Sequence, residues 1–297
     1  MTDRTTELAP GDDTATRTDA ARGDDATPSL WAELRSLLAI LLAVLLVHSF
    51  VAKPFYIPSE SMMPGLLKGD RLIVTKYPYG WSYISPSFHV VPFLQGRLLG
   101  RLPERGDVVI AVPPDSGVDY IKRVIGLPGD TLAVSGGRVI LNGRVLPRSA
   151  PRTIDLPVDE NNPCAPSIYS DARVTTADGT QVCRLTVQDE TVPTRNGPVR
   201  FPVIDDTVSP GDDYAQVTIP AGRVFLMGDN RDRSADSRYS LSQLGLGGPL
   251  PWENLGGRAE FTTFSMDGSA SWWNPVTWFT HMRDGRGFRS LHPQPAN

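Results

Sequence analysis

The sequence predicts a mainly β chain behind one N-terminal apolar helix, and three observations predict it. One run, 36–52, holds no Asp, Glu, Lys or Arg over 17 residues. Downstream of it, short β-branched runs alternate with gaps rich in Gly and Pro, the pattern of an antiparallel sheet protein. No long amphipathic helical period appears beyond the apolar run.

Taken in order, residues 1–29 draw 18 positions from Thr, Asp and Ala, a composition that cannot bury enough apolar surface to offset ordering entropy, so a disordered polar tail is expected. The apolar segment, placed at 30–52, follows. At about 1.5 Å per residue its uncharged run spans roughly 26 Å, close to the thickness of a hydrocarbon core. Trp31 precedes it and Lys53, Phe55 and Tyr56 follow, as interface anchors do. A buried core helix and a cleaved signal peptide are the alternatives, but the acidic front is the wrong leader for the latter. Arg17, Arg22 and Arg35 before the run balance Lys53, Lys68 and Arg71 after it, so charge does not set the orientation. Strands are expected at 71–76, 107–112, 120–125, 131–134, 139–141, 144–146, 217–219 and 223–227. Gly136-Gly137 and Asn142-Gly143 supply turns that accept positive φ. Residues 148–215 are polar and loop-rich and read as an insertion. Near the end, Trp272, Trp273, Trp278 and Phe279 read either as core filler or as a surface dipping into lipid headgroups.

Composition excludes some functions. The 297 residues carry a net charge of −4, which argues against a nucleic-acid binder with a broad basic surface. Two cysteines are too few for a disulfide scaffold, and no CxxC or HExxH spacing points to a metal. Cys164 and Cys183 as a pair would place the downstream part in an oxidising compartment; as two buried thiols they would look the same in sequence.

Three segments hold the candidate chemistry. In 54–64, prolines favour an extended backbone, whose period of two puts Phe55, Ile57, Ser59 and Ser61 on one face. That is a groove running into a nucleophile, or an ordinary edge strand with solvated serines. A serine needs a base. The four histidines, His48, His89, His281 and His292, lie in no motif, and there is no G-x-S-x-G elbow. Only four of the 29 basic residues are lysines: Lys53, Lys68, Lys76 and Lys122. About one free lysine in 2,500 is neutral at pH 7, but burial lowers its pKa by up to roughly 3–5 units and makes it a usable base. Lys122 shares a strand face with Tyr120 and Val124 and is the best placed for desolvation; Lys76 is the weaker rival. The third segment, 228–238, has eight charged or hydroxyl side chains in eleven positions and is either a solvated turn or a rigid polar scaffold.

Together PSESMMP at 58–64, GDVV at 106–109, YIKRVIGLPGD at 120–130 and GDNRDRSADSR at 228–238, in that order after an apolar segment, resemble the bacterial signal peptidase I (leader peptidase) family of Ser/Lys endopeptidases. The resemblance implies a two-domain antiparallel β catalytic region behind one transmembrane helix. A catalytic β domain would comprise 53–130 and 220–297, and 131–219 would be a variable inserted β domain. It implies Ser61 as nucleophile and Lys122 as general base, with the Ser59 hydroxyl and the Ser61 N–H as oxyanion hole and Ser234 orienting the amine. Phe55, Ile57, Ile121 and Met62 would bind substrate; Asp236 and Arg238, as an ion pair, and Arg123 and Asp229 would be structural near the site. Glu60 stands where many members have glycine, and Arg233 where asparagine is common. The implied function is removal of signal peptides from exported preproteins after a small-x-small motif. No cofactor, metal or nucleic acid is implied; the lipid bilayer and the secretion translocon are the implied partners. The implied location is single-pass in the cytoplasmic (inner) membrane with the catalytic part outside. A specialised pilin or conjugation-protein maturation peptidase and a catalytically dead tethered binding module are the alternatives.

Overall fold

The computed structural model describes residues 29–86, 96–114, 117–271 and 273–296. Nearly all of the expected polar tail, and Trp272, lie outside them. Helix α1 (Leu30–Leu46) continues into a short π-helical turn at Val47–Val51, and together they form one apolar helix, Leu30–Val51, long enough to cross a membrane. None of the α1 residues is buried, so the core-helix alternative fails: Leu37, Leu38, Ile40, Leu41 and Leu42 are all more than half exposed.

The chain divides into two compact units, residues 1–42 and 43–297. The second holds all the strands among the described residues. They are β1 (Ala52–Tyr56), β2 (Asp70–Thr75), β3 (Val108–Ala111), β4 (Tyr120–Gly126), β5 (Thr131–Ser135), β6 (Arg138–Leu141), β7 (Arg144–Val145) and β8 (Arg152–Pro157). Then come β9 (Arg173–Thr175), β10 (Gln181–Val192), β11 (Val199–Val203), β12 (Tyr214–Thr218), β13 (Arg223–Met227), β14 (Leu250–Pro251), β15 (Leu255–Ser265) and β16 (Gln294–Pro295).

A seven-stranded sheet has the order β1-β2-β15-β3-β4-β13-β14, with antiparallel pairing throughout, which leaves β1 at one edge. A second sheet joins β16, β11, β10, β8 and β9, and a third has the order β12-β5-β6-β7. The expected meander is the third sheet. Its β6–β7 turn uses Asn142 and Gly143, both at positive φ, as a primed hairpin turn requires. Alternation along β4 sends Ile121 and Ile125 into separate apolar clusters, while the Val124 side chain packs in a third beside Tyr120.

Residues 148–215 hold more residues in loops and turns than in strands, as expected, yet those loops frame β8, β9, β11 and β10, the longest strand among the described residues at 12 residues. The Cys183, Leu185 and Val187 side chains of β10 are buried while Arg184 and Thr186 face solvent. The aromatic segment near the end is surface, not core filler: Trp273 is 76% exposed and Phe279 74%.

Cys164 and Cys183 form a disulfide in the cluster that also holds Met63, Leu67 and Tyr169. Closing residues 19 apart stabilises the fold by about 3 kcal/mol in the chain-entropy picture. Urea titrations of the oxidised and reduced protein are expected to differ by that amount; coincident midpoints would show that the bridge contributes nothing.

Candidate active site

β1 pairs with β2 as far as Tyr56, and the Ile57 N–H still reaches the Asp70 carbonyl at 2.9 Å. The extended backbone ends there. The chain bends at 59–60 and coils through 61–65, with the Met63 N–H on the Glu60 carbonyl (3.0 Å) and the Leu66 N–H on the Met62 carbonyl (2.9 Å). Ser61 is therefore set by a turn and not by the strand expected from its prolines. The bend buries it to 6% exposure and leaves Ser59 exposed, and the two hydroxyls stay 3.3 Å apart.

Lys122 enters from β4, whose neighbours β3 and β13 enclose its backbone. Its side chain is 3% exposed. Nζ donates to Ser61 Oγ across 2.9 Å and to the Ile121 carbonyl across 3.0 Å, and lies 5.5 Å from the centre of the Tyr120 ring. Burial lowers the Lys122 pKa from 10.5 to about 8; the Asp236 and Asp229 carboxylates only partly oppose this, and Arg238 adds to it. Burial alone does not single this lysine out. Lys76 is 5% exposed and also comes down to about 8, through burial and then repulsion from Lys53. What separates them is the partner: Lys76 Nζ donates to the Ser85 carbonyl, which has no proton to give up.

The 228–238 loop, delivered by β13, is a buried scaffold, not a solvated turn. Asp229, Asn230, Asp236 and Ser237 are 0% exposed. Arg123 grips Asp229 with two bonds of 2.7 and 2.6 Å and stacks 4.2 Å from the centre of the Phe201 ring. Asp236 accepts from Arg238 Nε (2.9 Å) and from the Gly228 N–H (2.9 Å). Burial would raise the Asp236 carboxyl, but Arg238 outweighs it and holds the pKa below its ordinary value. The Asn230 N–H donates to the Ser61 carbonyl at 3.1 Å. At Gly228 a side chain is sterically forbidden, since a Cβ there would lie 2.4 Å from the Ser61 carbonyl oxygen.

Two expectations for the site residues change. Ser234 is 3% exposed, yet its Oγ has no hydrogen-bond partner among the described residues, so it does not hold the Lys122 amine directly; Ser61 and Ile121 take that role. Of the residues expected to line substrate pockets, Ile57 (1% exposed) and Met62 (0%) are sealed in the core beneath the hydroxyls, and Ile121 shows only 6%. Phe55, half-buried against the same cluster, offers the accessible surface. Sequence reasoning also missed residues that frame the site. Glu190 is fully buried between Arg231 and Arg148, and Tyr169 bonds to Glu60 at 2.7 Å. Their partners lie 41, 42 and 109 residues away, so no local pattern announces them.

A family model described as signal peptidase, peptidase S26, matches residues 30–264. The chain is 32% identical over 274 residues to the signal peptidase I of Rickettsia akari (strain Hartford), covering 85% of this chain and 90% of that one. It is 32% identical over 281 residues to that of Rickettsia typhi (strain ATCC VR-144 / Wilmington), covering 88% and 93%. Among solved structures, a signal peptidase I from Enterococcus faecalis V583 shares 23% identity, covering 53% of this chain and 97% of that one at a TM-score of 0.26.

Proposed function

The chain belongs to the signal peptidase family, peptidase S26, a family of serine endopeptidases, and from that premise we propose that it cleaves signal peptides from exported preproteins with Ser61 as nucleophile and Lys122 as general base. The observation that carries the assignment is the 2.9 Å contact between Ser61 Oγ and an amine that burial drives toward its neutral form. A neutral amine has two N–H bonds and one lone pair. The charged amine donates to both Ser61 Oγ and the Ile121 carbonyl; once neutral, it can keep the Ile121 bond and turn its lone pair to accept from the Ser61 hydroxyl.

In the proposed cycle, Lys122 takes the Ser61 proton as Oγ attacks the scissile carbonyl. The Ser61 N–H and the Ser59 hydroxyl receive the developing oxyanion; one such donor is worth about 2.7–4 kcal/mol. The charged amine then gives its proton to the leaving amine of the mature protein. It next accepts a proton from the water that opens the acyl-enzyme, and Ser61 is restored. The scaffold pairs Arg123–Asp229 and Asp236–Arg238 hold the 228–238 loop against the nucleophile's backbone.

The outer edge of β1, unpaired among the described residues, is a template on which an extended substrate can add a strand, with Phe55 beside it. Bulk at that position leaves room for small side chains only, so a small-x-small motif before the cut follows. The helix Leu30–Val51 is read as a single membrane anchor. The Cys164–Cys183 bridge supports placing the downstream unit outside the cytoplasm, where disulfides persist.

The test uses the full chain in detergent with a preprotein carrying Ala-x-Ala, and determines the new N-terminus by mass spectrometry. One cut directly after the motif is expected. Phenylalanine in place of the alanine at the cut should slow cleavage at least about a hundredfold. Equal cleavage of both substrates would remove the assignment.

A further inference from the structure

Glu60 lies between the two hydroxyls of the proposed site, and its side chain does not simply point to water. The Tyr169 hydroxyl donates to Glu60 Oε2 at 2.7 Å and accepts from Asn230 Nδ2 at 3.4 Å. Asn230 in turn holds the Ser61 carbonyl through its main-chain N–H. One phenol therefore touches both the residue that precedes the nucleophile and the residue that holds the nucleophile's backbone. Tyr169 is well fixed for this. It is 7% exposed, sits in a turn closed by its own N–H on the Ala165 carbonyl (2.8 Å), and packs in the cluster with Met63 and the Cys164–Cys183 bridge. The Arg233 guanidinium covers its ring at 5.5 Å and donates to the Ile168 carbonyl.

We propose that Tyr169 and Glu60 form a side-chain clamp that positions the Ser59–Ser61 turn, which makes Tyr169 a positioning residue for the reaction proposed above; the inference rests on that reading. Ser59 is exposed, and its Oγ meets the Ser61 hydroxyl at 3.3 Å, so its place depends on how the turn itself is held. The backbone bonds of the turn fix Ser61 from below, and the Glu60 carboxylate ties down the open side. A phenylalanine would fill the same apolar space, so packing does not call for the hydroxyl. Burial, reinforced by Glu60, pushes the Tyr169 pKa upward, so the phenol remains a donor wherever the protein is folded and working. A misplaced turn costs transition-state alignment more than substrate affinity.

The experiment compares Tyr169→Phe, Glu60→Gly, Glu60→Gln and the Tyr169→Phe/Glu60→Gly pair on one preprotein, with Ser61→Ala in parallel. Tyr169→Phe and Glu60→Gly should each lower kcat between roughly 10- and 100-fold with little change in KM. Glu60→Gln, whose amide oxygen still accepts, should recover most of that loss. Adding Tyr169→Phe to Glu60→Gly should change nothing further, because the clamp is already open. The acid limb of the pH profile should stay in place, since the Lys122 surroundings are untouched. Equal losses from Tyr169→Phe with and without Glu60, or a loss confined to KM, would overturn the clamp and leave a merely structural tyrosine. Retained cleavage in Ser61→Ala would instead overturn the reading beneath it.

Discussion

Lys122→Met is expected to remove preprotein cleavage, with kcat/KM falling by about 10⁴-fold or more, and Ser61→Ala is expected to do the same. The double variant should be no worse than either single, because a nucleophile and its base fail as a unit. Methionine keeps the length and apolar stem of lysine and loses the lone pair, so the side chain's packing survives the change. The same amine predicts the pH dependence. Below about 8 it is protonated and cannot take the Ser61 proton, so log kcat/KM should rise with unit slope up to a pH near 8 and then level. An acid limb near 10.5, or one that Lys122→Met leaves intact in residual activity, would remove lysine from the mechanism. Stability carries a matching signature. The native pKa lies below the ordinary 10.5, so between about 8 and 10.5 the unfolded chain binds a proton that the native chain does not. Stability from this group therefore increases with pH across that window, and the cost is fully present below it. Lys122→Met should remove this group's share of the rise and leave that of Lys76, whose pKa is also lowered to about 8, and at pH 7 should stabilise the fold by as much as about 3 kcal/mol. Urea titrations of both proteins at pH 7 and 10.5 measure it; a destabilised Lys122→Met at pH 7 would mean that the buried amine costs the fold nothing.

The parts of this molecule that are legible in the sequence are those whose physics is local. The strands around Lys122 and the β5–β7 meander follow from β-branched runs bounded by Asn-Gly and Gly-Gly, and β13 falls on the residues expected. β15 does not read as a strand, because its Gly256 and Gly257 look like a loop. Yet it lies between β2 and β3, where a Cβ at Gly257 would come within 2.4 Å of the Thr75 carbonyl oxygen. There glycine reports a close approach of neighbouring backbone, which only the folded sheet reveals. β10 alternates in its first half, but the polar residues on either side hide the pattern. At the site, the scarcity of lysine and the apolar face of β4 single out Lys122 before any coordinates. The turn at 59–65 is not legible, because the prolines argue for extension and the loop that meets the Ser61 carbonyl, through the Asn230 N–H, is far away in sequence. The unpartnered Ser234 hydroxyl shows the limit of carrying a role over by motif: the residue is in place next to Gly228, and the expected bond is absent among the described residues.

The buried charges make the second large prediction. Glu190→Ala is expected to destabilise the fold by about 3–5 kcal/mol and to disable cleavage indirectly. Glu190 is 0% exposed; Arg231 Nη1 and Arg148 Nε each donate to its Oε2 at 3.0 Å, and Arg231 adds a second bond to Oε1. Burial alone would raise the Glu190 pKa, but the two guanidiniums outweigh it and the carboxyl ends below its ordinary value. The group is thus an anion held between two cations, one of which, Arg231, is itself 1% exposed. Removing the anion leaves Arg231 buried without its carboxylate, and a guanidinium cannot shed its proton to escape the cost. Arg148 keeps Asp205 and suffers less. The loss reaches the site because Arg231 also donates to the Gly228 carbonyl at 3.0 Å and accepts from Arg238 through its own carbonyl, so the loop that packs on Ser61 relaxes with it. The discriminating variant is Glu190→Ala with Arg231→Met. If the penalty is the stranded charge, the pair should recover a large part of the stability lost by Glu190→Ala alone, as read by denaturant midpoint. If the pair is worse than the single, the contribution of Glu190 is the net attraction of the ion pair, and the desolvation argument fails.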